Sequence, residues 1–270
     1  MSKLLFILGM LCVTSVMTSP AWAQESRTPL GVQRPMPASP SARPTPAPAE
    51  TPAQVVARAV AAHGAQWATG QIQSSVAAGR LTYFANGAPA ATFDVTLLRK
   101  GDRQIQRIIK QQNAIVREGS DGSKHWLSAG GFSSPATRHV LDFLESQTVR
   151  SMQTLFRYQA RAATLRDRGA AGNARVLETE DTGGRKTSYF IDTTTATITK
   201  LEFVTGQSKD PFSGRILPDV ERYLFSDFRR VQGLLTPFKI ERYINGLKAE
   251  EMQFTSVSYN ASLKDDVFHP

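Results

Sequence analysis

The stretch FKIERYINGLKAEEMQFTSVSY, residues 238–259, decides the fold. Asn245-Gly246 is a type I′ turn signal, because both central residues of that turn need positive φ. Phe238, Ile240, Arg242 and Ile244 alternate before the turn, and Met252, Phe254 and Ser256 alternate after it. Period-two alternation on both sides of Asn-Gly predicts a β-hairpin with one buried face. Glu241 and Glu251 could face each other across this hairpin. With Lys239, Arg242 and Lys248 alongside, cross-strand ion pairs account for them better than acid/base chemistry does.

The same alternation recurs upstream. Leu81 and Tyr83 share a strand face, and Asn86-Gly87 marks a turn. Phe93, Val95 and Leu97 line a second strand, and Ile105, Arg107 and Ile109 a third, with another over about 114–118. This is an antiparallel meander. Ser134-Pro135 reads as a helix start, and Val140, Phe143, Leu144, Met152, Leu155 and Phe156 recur at helical spacing, with a break near 147–150. RDRGAAGNAR (166–175) reads as a loop, after which strands resume at 176–180, 187–192, 196–205 and 220–228. At the other end of the domain, Thr51, Pro52 and Gln54 form a capping-box helix start, and Gly64 ends that helix. The reading is an α+β domain, residues 51–270, with a highly curved antiparallel sheet of about nine to eleven strands. A sheet of this size tends to curl or close.

Ahead of the domain, Lys3, an apolar run to Met17 and Ala21-Trp22-Ala23 have the form of a secretory signal peptide, residues 1–23, cleaved after Ala23. The apolar run is short for a spanning helix. Cys12 is the only cysteine of the chain. Leu11 precedes it where lipoprotein processing wants a small residue, so Cys12 leaves with the peptide and the mature chain has no thiol or disulfide chemistry. Residues 24–50 carry a proline every few positions and read as a disordered linker. The localisation expected is the periplasm, with no transmembrane segment in the mature chain. The formal net charge is +9, of which only Lys3 lies in the leader. After export, lipid head groups, envelope polysaccharide or another protein are the acidic partners to expect, and no nucleic acid.

No G-x-S-x-G, H-E-x-x-H, P-loop or dinucleotide fingerprint is present, so no catalytic residue, metal ligand or cofactor is assigned. His63, His125, His139 and His269 stand apart in the sequence, with no metal-ligand spacing among them. The apolar residues are more informative. Phe93, Val95, Leu97, Ile105, Trp126, Leu201, Phe203, Phe238, Ile240 and Phe254 are the candidate inner-face residues. They fit either an ordinary packed core, which composition favours, or the walls of a hydrophobic cavity. Arg80 and Arg107 are either surface arginines or contacts to a ligand head group.

Two segments resemble a known superfamily. SDGSKHW (120–126) is similar to the D-G-x-x-x-W signature of periplasmic lipoprotein-carrier-like (LolA/LolB-like) proteins. Residues 226–270 resemble the terminal pattern of its less characterised branch: S-D-[FY]-R, a V-x-G turn, L-x-P-F, an N-G hairpin and N-x-x-L-x-D-x-x-F. The helix ending AAHG (61–64) fits the same pattern. After Trp126 the chain reads LSAGGF, where true carriers have a Tyr-Asp-Pro stretch. The resemblance implies an unclosed β-barrel with helices capping an apolar cavity. It also implies that Asp121 and Gly122 form the turn into Trp126, whose indole packs where sheet and helix meet, and that Phe268 pins the tail to the body. The function it implies is a non-enzymatic carrier or sensor of an apolar ligand, a lipid or lipoprotein acyl chain. The alternative on the same fold is a protein-interaction module of envelope-stress regulation with an envelope protein partner.

Overall fold

The computed structural model describes residues 50–209 and 214–270. The signal peptide and almost all of the proline-rich linker expected from the sequence lie outside the described residues.

After α1 (Pro52–His63) and a single turn, α2 (Gln66–Thr69), the chain runs through six antiparallel strands. These are β1 (Ser74–Ala85), β2 (Ala88–Lys100), β3 (Gln104–Lys110), β4 (Ile115–Asp121), β5 (His125–Ala129) and β6 (Phe132–Pro135). It then crosses over through α3 (Arg138–Gln147) and α4 (Met152–Phe156). Seven strands return: β7 (Thr164–Ala171), β8 (Ala174–Glu180), β9 (Lys186–Asp192), β10 (Ile198–Lys209), β11 (Ile216–Val231), β12 (Leu234–Ile244) and β13 (Leu247–Tyr259). All thirteen join one antiparallel sheet, in the order 6-5-4-3-2-1-13-12-11-10-9-8-7. Two meanders thus meet where β1 pairs with β13, and β6 and β7 are left as free edges of an unclosed sheet.

The turn chemistry is as the sequence requires. Asn245 and Gly246 have φ of 49° and 83°, and Asn86 and Gly87 have 52° and 78°, the doubly left-handed pairs of type I′ hairpins. Thr51 Oγ1 accepts from Gln54 N (3.3 Å) and Thr51 N donates to Gln54 Oε1 (2.8 Å), completing the capping box of α1. Gly79 sits at a bulge in β1, where a Cβ would come within 2.1 Å of the Gln253 carbonyl oxygen. Only glycine allows β13 to lie this close.

The strand count exceeds the nine to eleven expected, and the strands not anticipated, β5, β6 and β7, lie at or next to the edges. Residues 166–175 are not a loop: they hold most of β7, a turn at Gly172-Asn173 and the start of β8. An edge strand carrying Arg166, Asp167 and Arg168 is polar because it must discourage pairing with other chains, and a polar strand reads as a loop. Similarly, Ser134 and Pro135 end β6, where a missing amide donor is tolerated at an edge. The helix begins later, at Arg138, with Thr137 at its cap. Its predicted break is present, since α3 ends at Gln147 and α4 starts at Met152.

One face of the sheet is covered. Val95 and Leu97, Ile105 and Ile109, Leu201 and Phe203, Tyr223 and Phe225, Phe238 and Ile240, and Met252 and Phe254 form a continuous core with Val55, Val56 and Ala59 of α1 and Phe143 and Leu144 of α3. Burying each large side chain contributes about 1.5–3 kcal/mol. In the absence of disulfides this packing is what holds the domain.

Candidate functional site

Between the helices and the buried face lies a pocket of about 90 Å3. On the scale where one water needs about 10–15 Å3, this is room for several waters or a short length of alkyl chain. Its sheet side is Ala77 of β1, Leu97 and Arg99 of β2, Leu201, Phe225 and Ile240, with Phe254, Val257 and Tyr259 of β13. The helical side is His63 at the end of α1, Trp67 of α2, Ser146 and Gln147 of α3, and Met152, Gln153 and Phe156 of α4.

His63 is a structural joint at the pocket wall. Its Nε2 accepts from the Ile198 amide at 3.0 Å, so Nδ1 carries the proton and donates to the Leu235 carbonyl oxygen at 3.2 Å. Burial lowers its pKa to about 4, so the ring is neutral. With both nitrogens occupied, it has no free position for proton transfer. Trp67 meets Tyr259 edge-on with ring centroids 5.2 Å apart, and the Tyr259 hydroxyl lies 2.7 Å from Thr236 Oγ1.

Arg99 is the odd member. Its Nη2 donates to Gln153 Oε1 at 3.2 Å, and no carboxylate of the described residues lies within 4.0 Å of it. Burial pulls the guanidinium down to about 10. The Asp102 carboxylate nearby is already shared by Arg157 (3.0 Å) and Arg161 (2.9 Å).

A second polar feature lies on the same buried face. Glu250 of β13 accepts from Arg107 Nη1 at 2.7 Å and from Arg242 Nη1 at 3.1 Å, and pairs with His139 Nε2 of α3 at 2.9 Å. Arg107 also pairs with Glu118 (2.6 Å) and Arg242 with Glu221 (2.6 Å), and Tyr223 donates to Glu221 at 2.9 Å. Burial alone would raise the Glu250 carboxyl. The Arg107 and Arg242 guanidiniums and His139 outweigh it and hold that carboxyl well below the usual range. Arg107 also stacks on the Phe143 ring at 3.7 Å, and Arg242 Nη2 donates to the His139 carbonyl at 3.2 Å. The cluster therefore fastens α3 to the sheet. The outward side of the same hairpin carries the cross-strand pairs expected, Lys248 and Lys239 each reaching both Glu241 and Glu251.

Of the residues singled out in the sequence, Leu97, Leu201, Ile240 and Phe254 come together in the pocket. Val95, Ile105, Phe203 and Phe238 are buried elsewhere in the core, and Phe93 is half-buried beside Tyr83. Trp126 is buried away from the pocket, against Gly119, and its Nε1 donates to the Phe268 carbonyl at 3.0 Å. Phe268 is fully buried, so the tail is pinned to the body as the resemblance implied. The Asp121-Gly122 turn is also present, with Asp121 Oδ1 accepting from the amides of Ser123 and Lys124. Arg80 is exposed, 3.6 Å from Asp94. Arg107 is not a surface arginine, because its place in the period-two register of β3 turns it inward. Arg99, His63, Trp67 and Tyr259 were not singled out as pocket residues. Arg99 follows Phe93, Val95 and Leu97 in strict alternation, a signal that places it on their face. Among the described residues, no group of three His, Cys, Asp or Glu side chains could hold a metal, and no helix is long and apolar enough to cross a membrane.

No family model matches the chain, and no curated protein matches it. Among solved structures it is similar to a DUF1329 family protein from Desulfovibrio piger, with a TM-score of 0.51 and 11% identity over 80% of this chain and 95% of that one. It is also similar to a domain described as an outer membrane lipoprotein-sorting protein from Vibrio parahaemolyticus (TM-score 0.48, 14% identity, 80% and 94% covered). A LolA superfamily protein from Nitrosomonas europaea gives a TM-score of 0.49 at 14% identity, with 82% and 99% covered. At these identities the likeness is one of fold.

Proposed function

We propose that this chain is a non-enzymatic periplasmic protein that binds an apolar ligand, a lipid or a lipoprotein acyl chain, as a carrier or sensor in envelope lipid or lipoprotein traffic. The observation that carries the reading is the pocket between the helices and the sheet, walled by Leu97, Leu201, Phe225, Ile240 and Phe254. A concave, mostly apolar site with a few placed polar groups is the usual form of a small-molecule site. Export is read from the leader, and the traffic from the resemblance of residues 120–126 and 226–270.

At about 90 Å3 the pocket holds part of a chain rather than all of it. The cover is built from short pieces, the four residues of α2 and the five of α4. Short helices held by side-chain contacts rather than by length are the elements that give way at low cost. Seating a longer chain moves this cover, while the ionic cluster keeps α3 on the sheet.

The test uses the uncharged probe N-phenyl-1-naphthylamine and its displacement by dodecanol. Saturable one-to-one binding, lost in Ala77→Phe, is expected, because the phenyl ring fills the space between Leu97 and Val257. Ala77→Phe should remain folded, with overpacking costing about 1–3 kcal/mol. Absence of saturable binding by the parent protein, or unchanged binding by the filled variant, would refute the site. Purification with a stably bound envelope protein and no lipid would favour the interaction-module alternative.

A further inference from the structure

We propose that the pocket takes an amphiphile with an anionic head, the head held by the Arg99 guanidinium and the alkyl chain lying among Leu97, Leu201, Ile240 and Phe254. This deepens the apolar-ligand reading and rests on it. The fully buried arginines among the described residues are all paired with carboxylates. Arg107 and Arg242 each have two carboxylate partners, and Arg150 has Glu145 at 3.3 Å. Removing a guanidinium from water without an anion is costly, so enclosed cations are paired. Arg99 is half-buried and differs from them, with one neutral amide for a partner and an open pocket in front of it.

The charge around Arg99 points the same way. Arg99, Arg157 and Arg161 stand around a single carboxylate, Asp102, and the first of them receives no direct contact from it. Three cations and one anion leave a surplus of positive charge beside the wall that Arg99 lines. The other titratable groups facing the pocket do not offset it. His63 is neutral with both nitrogens engaged, and Tyr259 is a phenol whose burial raises its pKa. A guanidinium fork suits a carboxylate or phosphate through two parallel hydrogen bonds. Leu97 lies two residues along the same strand, on the same face, so a chain attached to that head would run directly onto the apolar wall.

The experiment compares four twelve-carbon ligands on the purified protein: dodecanoate, dodecyl phosphate, dodecanol and dodecyltrimethylammonium. Binding is followed by isothermal calorimetry and by Trp67 fluorescence, with Trp67→Phe assigning the signal. At least one of the two anions should bind about tenfold or more tightly than dodecanol, the expected scale of a hydrogen bond to a charged group. The cation should be the weakest. The order of dodecanoate and dodecyl phosphate tells a fatty-acid-like head from a phospholipid-like one. Arg99→Gln should bring both anions to the affinity that the same variant shows for dodecanol, and Arg99→Lys should retain part of the preference. Thermal melting of Arg99→Gln should show no loss of Tm, since the substitution removes a half-buried charge that has no carboxylate partner. Equal binding of dodecanol and both anions by the parent protein would overturn the head-group assignment and leave the apolar site standing. A preference that survives Arg99→Gln would do the same. Failure of all four ligands to bind would overturn both.

Discussion

Replacing Glu250 by Gln tests whether the buried ionic cluster holds the fold together. Glu250 is the shared anion of Arg107, Arg242 and His139, and its side chain is only 2% exposed. Glutamine keeps the shape and removes the charge. Arg107 then retains Glu118 and Arg242 retains Glu221, so each guanidinium loses one of two partners rather than all. Removing one partner of a buried pair costs about 3–5 kcal/mol. For a domain of this size, where each kcal/mol is worth about 2–4 °C, Tm should fall by about 6–20 °C. Acid supplies an independent check. The folded carboxyl is held below its ordinary value of 4.5, so the native state binds the proton less readily than the unfolded chain. Its contribution is therefore complete above that ordinary value and is lost progressively as the pH falls through and below it. Urea unfolding of parent and variant at neutral pH and at about pH 3 should show a large gap that narrows in acid. A gap below about 1 kcal/mol at neutral pH, or one that does not narrow on acidification, would refute the claim that this carboxylate neutralises the buried arginines.

The remaining predictions concern single sites. His63 has its pKa lowered from 6.5 to about 4, so its stabilisation is present above 6.5 and is lost as the pH falls from there towards 4, by about 3 kcal/mol in all. A His63→Phe variant should lack that segment of the pH–stability profile; an unchanged profile would count against the buried neutral ring. Trp126→Phe should cost about 1 kcal/mol through loss of the hydrogen bond to Phe268, and should open the last residues to carboxypeptidase; equal digestion rates would show that the indole does not hold the tail. Phe203, 3% exposed between Arg150 and Tyr223, should cost about 3–5 kcal/mol on truncation to Ala, measured by urea unfolding; a loss under 1 kcal/mol would mean that this ring is not packed.

The sequence was most legible where the sheet is buried on one face. Alternation through 93–97, 105–109, 238–242 and 252–254 identified the inner side of four strands, because a one-residue slip would turn every apolar side chain outward. Ser256, expected on the same face, is exposed beyond the bulge in the β1–β13 pairing. The two Asn-Gly turns were equally plain, since their backbone leaves few residues to choose from. The edges were not. β7 and β6 are covered on neither face by much apolar surface, and polar, Gly-rich or Pro-ended strands offer no period to read. The pocket was half legible: Leu97, Leu201, Ile240 and Phe254 were in hand, but Trp67 and Tyr259 come from a four-residue helix and the last residue of a strand. Only the fold brings them together.

The inward charges show what alternation yields and what it withholds. Arg99, Arg107, Arg242 and Glu250 each occupy a position that the apolar period assigns to the buried face, so a strict reading places all four inside. It does not say which of them are neutralised, because Glu118, Glu221 and His139 arrive from other strands and from α3. The distinction is one of partners, and it divides the arginines by role. Arg107 and Arg242, with two carboxylates each, have their charge matched within the protein and fasten strands and helix together. Arg99, with a single amide, retains hydrogen-bonding capacity and charge that the protein itself does not use. A sheet face that pairs its fully buried cations and leaves this half-buried one looking into a pocket is arranged for an anion supplied from outside.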